Sequence, residues 1–383
     1  MKLSTYSRRA LAALAALALP LAVSQGLTAQ CDATIDAGRG PVTLVVPDSY
    51  DPDRPSPLVV HLHGYASTAD AIEHWLRLEP LAQELGFLYL LPQGSIDEAG
   101  QPFWNAGPVC CNWYNSAVDD IEYLRRLVDE VGNRCRVDPG RIYWIGHSNG
   151  AYMAYRIACE HAELVTGLTA IAGVTENEPT NCNPFKPVHV LHVHGTADDF
   201  WEFEGGVWSA NGEPYPGALR TAEIWAEYDG CGPKTDVLAG KTDIESGIEG
   251  AETTVTRFAG PCRPGGSVEM WEVAGAGHVP EFSPEFSRKA IEWLLANRNE
   301  CRGRERIRRA RCRSRKSRLT LTLTGGLPGD SVGLVLSTGE TARGRLDTRG
   351  RIRLRLASPA ESHGTVDVRW GCGATTSMTF ACR

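Results

Sequence analysis

Beyond its first 29 residues the chain has no apolar run long enough to cross a membrane. It also has no compact CxxC pair and no Cys/His cluster at zinc spacing. The first lack excludes a helical membrane span in that stretch. The second argues against a structural metal, so neither a metal nor an organic cofactor is expected. Basic residues are scarce through most of the chain: residues 30–301 carry 18 basic and 40 acidic side chains, net −22. The deficit then reverses, and residues 302–383 carry 18 basic and 6 acidic, net +12. The whole-chain value of −7 hides a contrast that predicts two domains with opposite surfaces.

The first 29 residues place Lys2, Arg8 and Arg9 before an alanine- and leucine-rich run interrupted by Pro20, with Ala29 the small residue expected to end a cleavage site. This pattern predicts a secretory signal peptide over 1–29, and Ser7-Arg8-Arg9 leaves both general and twin-arginine export open. Cys31 raises the question of a lipid anchor. Gln30 is a poor residue before a lipidated cysteine, so a free protein in the extracellular or periplasmic space is expected. Twelve cysteines, an even number, fit an oxidising compartment with most of them paired. Adjacent Cys110 and Cys111 are each expected to have a distant partner. Cys231 and Cys262 are expected to pair with each other or with neighbours, and Cys372 with Cys382 to staple a final hairpin.

Residues 41–47 and 57–62 read as strands, and 81–94 as a helix end, a turn at Gly86 and a buried strand. Residues 119–131 have apolar side chains at a helical period, capped by Asp119 or Asp120. Strand, helix, strand, strand and helix follow at 142–145, from 148 onward, at 187–195, 268–278 and 284–298. The strands are apolar throughout rather than alternating, as in a sheet covered on both faces. Residues 30–300 are therefore expected to be one α/β domain, with cap-like loops and a helix at 219–228 inside 199–262. Residues 301–318 hold an arginine-rich run and are expected to be a linker. Residues 319–383 are short alternating segments between Gly, Pro and Asp turns, which predicts a small all-β module.

The segment "RIYWIGHSNGA" (141–151) ends an apolar strand in Gly-His-Ser-Asn-Gly and opens a helix. That context is the one in which a serine on a sharp strand-to-helix turn acts as a nucleophile. Ser148 is the candidate, and the Asn149 amide at the helix start is a candidate oxyanion donor. A base and an orienting carboxylate are needed as well. His278, in the glycine-rich loop "AGAGHVP", is the candidate base. Asp198, just after a strand end, is the candidate acid, with Asp199 its neighbour and rival. The order Ser148, Asp198, His278 is that of α/β-hydrolases. His61, His63, His192 and His194 are rival bases that lie in or at the ends of buried strands. Gly64 lets the chain turn after an early strand, and the Tyr65 amide is the candidate second oxyanion donor.

Four pieces now carry a resemblance: "HLHGYA" (61–66), "FWNAGPVCCNWYNSAVDDIEYL" (103–124), "GHSNGAYMAY" (146–155), and "HGTADDFWEFEGG" with "GAGHVP". In this order they resemble the extracellular polyhydroxybutyrate depolymerase and feruloyl esterase family, a branch of carbohydrate esterase family 1. The resemblance implies an α/β-hydrolase three-layer sandwich, a small C-terminal all-β module being extra to it. It implies a Ser148–His278–Asp198 triad without cofactor, and a double cysteine close to the site. It also implies feruloyl, acetyl or hydroxyalkanoate ester substrates. Where many members read like Val-Pro-Tyr before Gly-Gly, this chain has Trp201-Glu202-Phe203-Glu204, a bulkier and more acidic wall. Trp104, Trp113, Tyr114 and Trp201 are the candidate substrate contacts. The β module is expected to bind a polymer or polyanion, to dock on the acidic domain, or to serve as a solubilising unit. Nucleic acid is disfavoured, since the arginine run 302–318 has no aromatic residues within it. A binding protein on an inactive scaffold, and a peptidase or acyltransferase, are the rival functions.

Overall fold

In the computed structural model, residues 31–232, 236–238, 240–258, 260–299, 304–313, 318–357, 363–372 and 375–382 are described. The signal-peptide expectation for 1–29 lies outside them. Among the described residues no helix is long and apolar enough to cross a membrane.

A ten-stranded sheet organises the first part of the chain. Its strands are β1 (Thr34–Asp36), β2 (Pro41–Val45), β3 (Ser56–Leu62), β4 (Leu88–Leu91), β5 (Val137–His147), β6 (Gly167–Ile171), β7 (His189–Gly195), β8 (Asp236–Val237), β9 (Thr253–Arg257) and β10 (Ser267–Val273). The spatial order is β1-β2-β4-β3-β5-β6-β7-β10-β9-β8. From β4 to β10 the pairings are parallel, and antiparallel strands close both edges.

Six helices cover the sheet: α1 (Ala69–Leu76), α2 (Leu78–Leu85), α3 (Asp120–Arg134), α4 (Asn149–Glu160), α5 (Ala218–Asp229) and α6 (Pro284–Ala296). Helices α3, α4 and α5 share one apolar core with Leu58, Val60, Ile142 and Trp144. Helices α1, α2 and α6 share the other with Val59, Tyr143 and Ile145. Successive strand residues thus feed opposite layers, which is why these strands are apolar throughout. The result is the three-layer α/β-hydrolase sandwich. Asp119 caps α3, its side chain accepting the Glu122 amide at 2.9 Å.

The C-terminal strands are β11 (Arg306–Arg313), β12 (Arg318–Thr324), β13 (Ser331–Leu336), β14 (Thr341–Arg345), β15 (Arg351–Ala357), β16 (His363–Trp370) and β17 (Thr375–Ala381). They form a three-stranded sheet, β11-β12-β15, and a four-stranded one, β14-β13-β16-β17. The two close on a core of Leu319, Leu321, Leu323, Val332, Leu334, Val366, Val368 and Trp370. The arginine run is therefore not a linker over 306–313. Ile307, Ala310 and Cys312 pack inward from it, so it has enough inward apolar positions to pair as an edge strand.

The disulfides correct two expectations. Cys110 and Cys111 pair with each other across a cis peptide bond, their Cα atoms 3.0 Å apart. Cys382 pairs with Cys312 rather than Cys372, linking the end of β17 to β11 and so one sheet to the other. The remaining described bonds are Cys31–Cys135, Cys159–Cys182 and Cys231–Cys262. The Cys31 sulfur is committed to Cys135, which leaves none for a lipid.

Six imidazoles are buried among the described residues. Burial pushes His61 and His189 down to about 3 and His63 and His147 to about 4, and it holds His192 well below the usual range. The ordinary value is near 6.5. Between pH 6.5 and about 4 the unfolded chain therefore takes up protons that the folded one refuses. The stability these groups allow is present above pH 6.5 and lost as pH falls through that window. The urea midpoint should drop clearly from pH 7 to pH 5; an unchanged midpoint would contradict this account.

Candidate active site

Ser148 sits between β5 and α4 with φ 53° and ψ −120°, a conformation that costs a non-glycine residue about 1–3 kcal/mol. Its neighbours explain why the chain tolerates it. A Cβ on Gly146 would lie 2.3 Å from the Gly150 carbonyl oxygen, and one on Gly150 would lie 2.2 Å from the Leu62 carbonyl oxygen. Only glycine permits these approaches, and they press α4 onto the ends of β3 and β5. The Ser148 amide donates to the Ile171 carbonyl at 2.8 Å, and the Ser148 carbonyl accepts from Ala151 and Tyr152. The side chain is thus aimed by backbone on three sides.

The structure brings the three candidate residues together. The Ser148 hydroxyl lies 3.0 Å from His278 Nε2, and His278 Nδ1 lies 2.9 Å from Asp198 Oδ2. Asp198 Oδ1 accepts the Phe200 and Trp201 amides, both at 2.9 Å. Burial pushes the Asp198 carboxyl up. Hydrogen bonds from His194 and His278, with their positive potential, outweigh that and hold it well below the usual carboxylate range. Asp199, the neighbouring candidate, is exposed. The geometry allows His278 to take the Ser148 proton while Asp198 balances the imidazolium.

The rival histidines have other partners. His63 Nδ1 donates to the Gly64 carbonyl at 2.7 Å, and its Nε2 accepts the Gly94 amide at 2.9 Å. His61 pairs with the Tyr89 hydroxyl at 2.6 Å. His194 and His192 form a buried chain. Tyr155 meets His192 Nδ1 at 2.8 Å, His192 Nε2 meets His194 Nδ1 at 3.3 Å, and His194 Nε2 lies 2.8 Å from the Trp201 carbonyl and 3.3 Å from Asp198 Oδ2. His147 Nε2 donates to the His278 carbonyl at 2.9 Å and so anchors the loop that carries the base.

For the oxyanion candidates, Asn149 opens α4 with its amide in the first turn. Its buried side chain clamps the backbone of Trp104, accepting at 2.7 Å and donating at 2.9 Å. Gly64, just before Tyr65, lies against Ser148: a Cβ there would be 3.5 Å from Ser148 Cβ. The Tyr65 side chain turns to Asp97 Oδ2, at 2.6 Å.

Two of the four aromatic contacts need correcting. Trp104 is fully buried, and its indole nitrogen donates to the His63 carbonyl, so it supports the site from the core. Trp201 is also fully buried, packed with Tyr152, Val174, Tyr215 and the Cys110–Cys111 pair. Trp113 is half-buried, and Tyr114 is exposed. The sequence reading missed Phe200 and Trp208. Phe200 stacks on His278, ring centroids 5.0 Å apart, and meets Trp208 at 5.1 Å. Trp208 stacks on Trp113 at 5.7 Å, and Trp113 meets Tyr65 at 4.5 Å. These rings form a continuous aromatic wall from His278 to the Gly64–Tyr65 loop. The signal for Phe200 was its place directly beside the two aspartates; Trp208 had none.

The fold, the serine elbow and the linked imidazole and carboxylate define an α/β-hydrolase. Residues 43–183 match the family model described as Esterase PHB depolymerase. A protein of Nocardia uniformis subsp. tsuyamanensis named as an esterase, NocK, is 32% identical over 149 residues, 39% of this chain and 42% of that one. Feruloyl esterase B of Piromyces equi is 25% identical over 62% of this chain and 42% of its own length. The bifunctional acetylxylan esterase/xylanase XynS20E of Neocallimastix patriciarum is 23% identical over 64% of this chain and 31% of its own. The chain thus spans less than half the length of each of these three relatives.

The elbow gives a structural test. Gly150→Ala should lower unfolding stability by about 3 kcal/mol, because its Cβ meets backbone rather than a movable side chain. A thermal midpoint within a degree or two of the wild type would show that the approach is looser than described.

Proposed function

We propose that this chain is an exported serine esterase that cleaves carboxylic esters through an acyl-enzyme, with feruloyl-type (hydroxycinnamoyl) esters of plant polysaccharide as its preferred class. The observation that carries the reading is the Ser148–His278–Asp198 chain, at 3.0 and 2.9 Å, on a positive-φ serine at a helix start. His278 Nε2 takes the Ser148 proton as the oxygen attacks the ester carbonyl. Asp198 Oδ2 accepts from Nδ1–H and stabilises the imidazolium. The Asn149 and Tyr65 amides receive the oxyanion. His278 then protonates the departing alkoxide, so the alcohol leaves neutral. Water repeats the sequence on the acyl-serine, with His278 as its base, and the acid is released.

The aromatic wall favours an aryl acid over acetate or hydroxybutyrate. Phe200, Trp208 and Trp113 offer ring faces beside the base, where a feruloyl ring stacks and an acetyl group gains little. The name of the Piromyces equi relative, a feruloyl esterase, points to the same acid, whereas that of the Neocallimastix patriciarum relative points to acetyl esters of xylan. Export is supported by the five described disulfides, which suit an oxidising compartment.

The test is hydrolysis of methyl ferulate, acetylated xylan, p-nitrophenyl acetate and amorphous polyhydroxybutyrate by the mature protein and S148A. Methyl ferulate should have the highest kcat/KM, and S148A should lose activity by about a thousandfold or more. Activity surviving in S148A would reject the nucleophile. Polyhydroxybutyrate as the best substrate would reject the aryl preference. Trp208→Ala should raise KM for methyl ferulate several-fold and leave p-nitrophenyl acetate kinetics nearly unchanged. Equal effects on both would make Trp208 a packing residue only.

A further inference from the structure

The ester chemistry does not account for the C-terminal module. Strand β12 lies between β11 and β15, and its leucines 319, 321 and 323 are buried in the module core. The alternate positions, Thr320 and Thr322, therefore face outward. The pairing sets Arg311 and Arg355 on either side of Thr320, and Arg309 and Arg353 on either side of Thr322. Two arginine columns thus flank a threonine column. Neighbouring strands lie about 4.8 Å apart, so the arginine columns are about 10 Å apart, with same-face residues spaced about 7 Å along each strand. Threonine is much shorter than arginine, so the middle column is the floor of a trench. A cavity of about 150 Å³ lined by Arg309, Arg311, Thr320, Thr322 and Arg353 lies there.

All four arginines are exposed. Among the described residues none of them has a carboxylate at ion-pair distance, whereas Arg351 in the next row is paired with Asp347 at 3.2 Å. Unpaired like charges spaced along one strand and facing each other across the trench repel and do not stabilise the sheet. The four-stranded sheet uses its outer face differently. Arg343 lies over the Phe185 ring of the hydrolase part, a Cβ on Gly333 would touch that same ring, and Arg369 pairs with Glu163. That sheet is the docking side, so the trench opens on the side of the module turned away from the hydrolase part.

We propose that this trench binds a linear polyuronate, a polysaccharide carrying a carboxylate on each sugar. Guanidinium forks pair with carboxylates bidentately, and the threonine hydroxyls match the hydroxyls of a sugar ring lying between them. In an extended 1,4-linked uronate chain, successive carboxylates project to alternate sides, where the two arginine columns stand. The face carries no aromatic ring on which single-stranded bases stack, and no large apolar side chain to enter a bilayer. The binding does not depend on Ser148 being a nucleophile.

The experiment is affinity electrophoresis of the full mature protein in gels containing polygalacturonate, at low and high salt. Retardation is expected at low salt and should weaken as salt rises. R309S/R311S/R353S/R355S should weaken binding by at least about tenfold, and the control R54S/R126S should not. The corresponding four-lysine variant keeps the charge but loses the forks, and should fall between the two. R309S/R353S serves if the quadruple variant does not fold, with unchanged thermal midpoints showing that each variant is intact. The proposal is overturned by the absence of retardation, by equal loss in the control, or by undiminished binding in the folded variants. Tighter binding to duplex DNA or to phosphatidylglycerol vesicles than to polygalacturonate overturns it too, as does salt-sensitive self-association that accounts for the retardation.

Discussion

The close approach of α4 to the parallel strands beneath it is the constraint on which the site depends. Gly150 meets the Leu62 carbonyl and Gly146 meets the Gly150 carbonyl, each at a distance no side chain would allow. This contact holds Ser148 in its positive-φ conformation and sets its hydroxyl at the carboxyl ends of the strands. It also fixes β3 against the turn that carries Ser148, so that the chain leaving β3 at His63 and Gly64 passes beside it. The aspartate loop after β7 and the histidine loop after β10 reach the same edge because these strands are parallel neighbours. A parallel sheet brings all its strand-to-helix loops to one edge, and residues 130 positions apart in sequence meet there.

Asp198 is the second point of convergence. A buried carboxylate stays ionised only if donors replace water, and this one has the Phe200 and Trp201 amides on one oxygen and His278 on the other. His194 stands behind it, linked through His192 to Tyr155. One proton order satisfies the chain without any charge: Tyr155 O–H donates to His192 Nδ1, His192 Nε2–H to His194 Nδ1, and His194 Nε2–H toward the Trp201 carbonyl and Asp198. Burial disfavours a charged His192. His192 and His194, two residues apart on β7, thus stand behind Asp198 and help to orient it.

Much of this was legible in the sequence because it rests on backbone geometry. The elbow needs glycine on both sides of the serine, and a parallel sheet needs apolar strands. Both leave marks in residue type and spacing, and so did the Ser148, Asp198, His278 order. What did not show depends on side chains that meet only after folding. Trp104 read as a candidate substrate contact, but its indole donates to the His63 carbonyl, 41 residues away in sequence. Phe200 and Trp208 reach the wall because the chain folds back after Asp198, and no local pattern encodes that. The cysteine pairings were hidden for the same reason. The arginine run was misjudged because charge density outweighed its alternation: Ile307, Ala310 and Cys312 face the module core.

The same alternation explains how one small module can serve two surfaces. Each of its sheets gives one face to the shared leucine and valine core and keeps the other free. On the four-stranded sheet the free face is glycine and arginine set against Phe185 and Glu163, a contact that ties a basic module to an acidic partner. On the three-stranded sheet the free face is arginine and threonine, and among the described residues no acid lies beside the four central guanidiniums. Had the net charge of +12 served only to hold the module to a domain of −22, arginines would be expected on the docked sheet alone. Four of them lie instead in register on the undocked sheet, where they repel one another. A sheet that keeps such a face is arranged for an anionic partner from outside the chain.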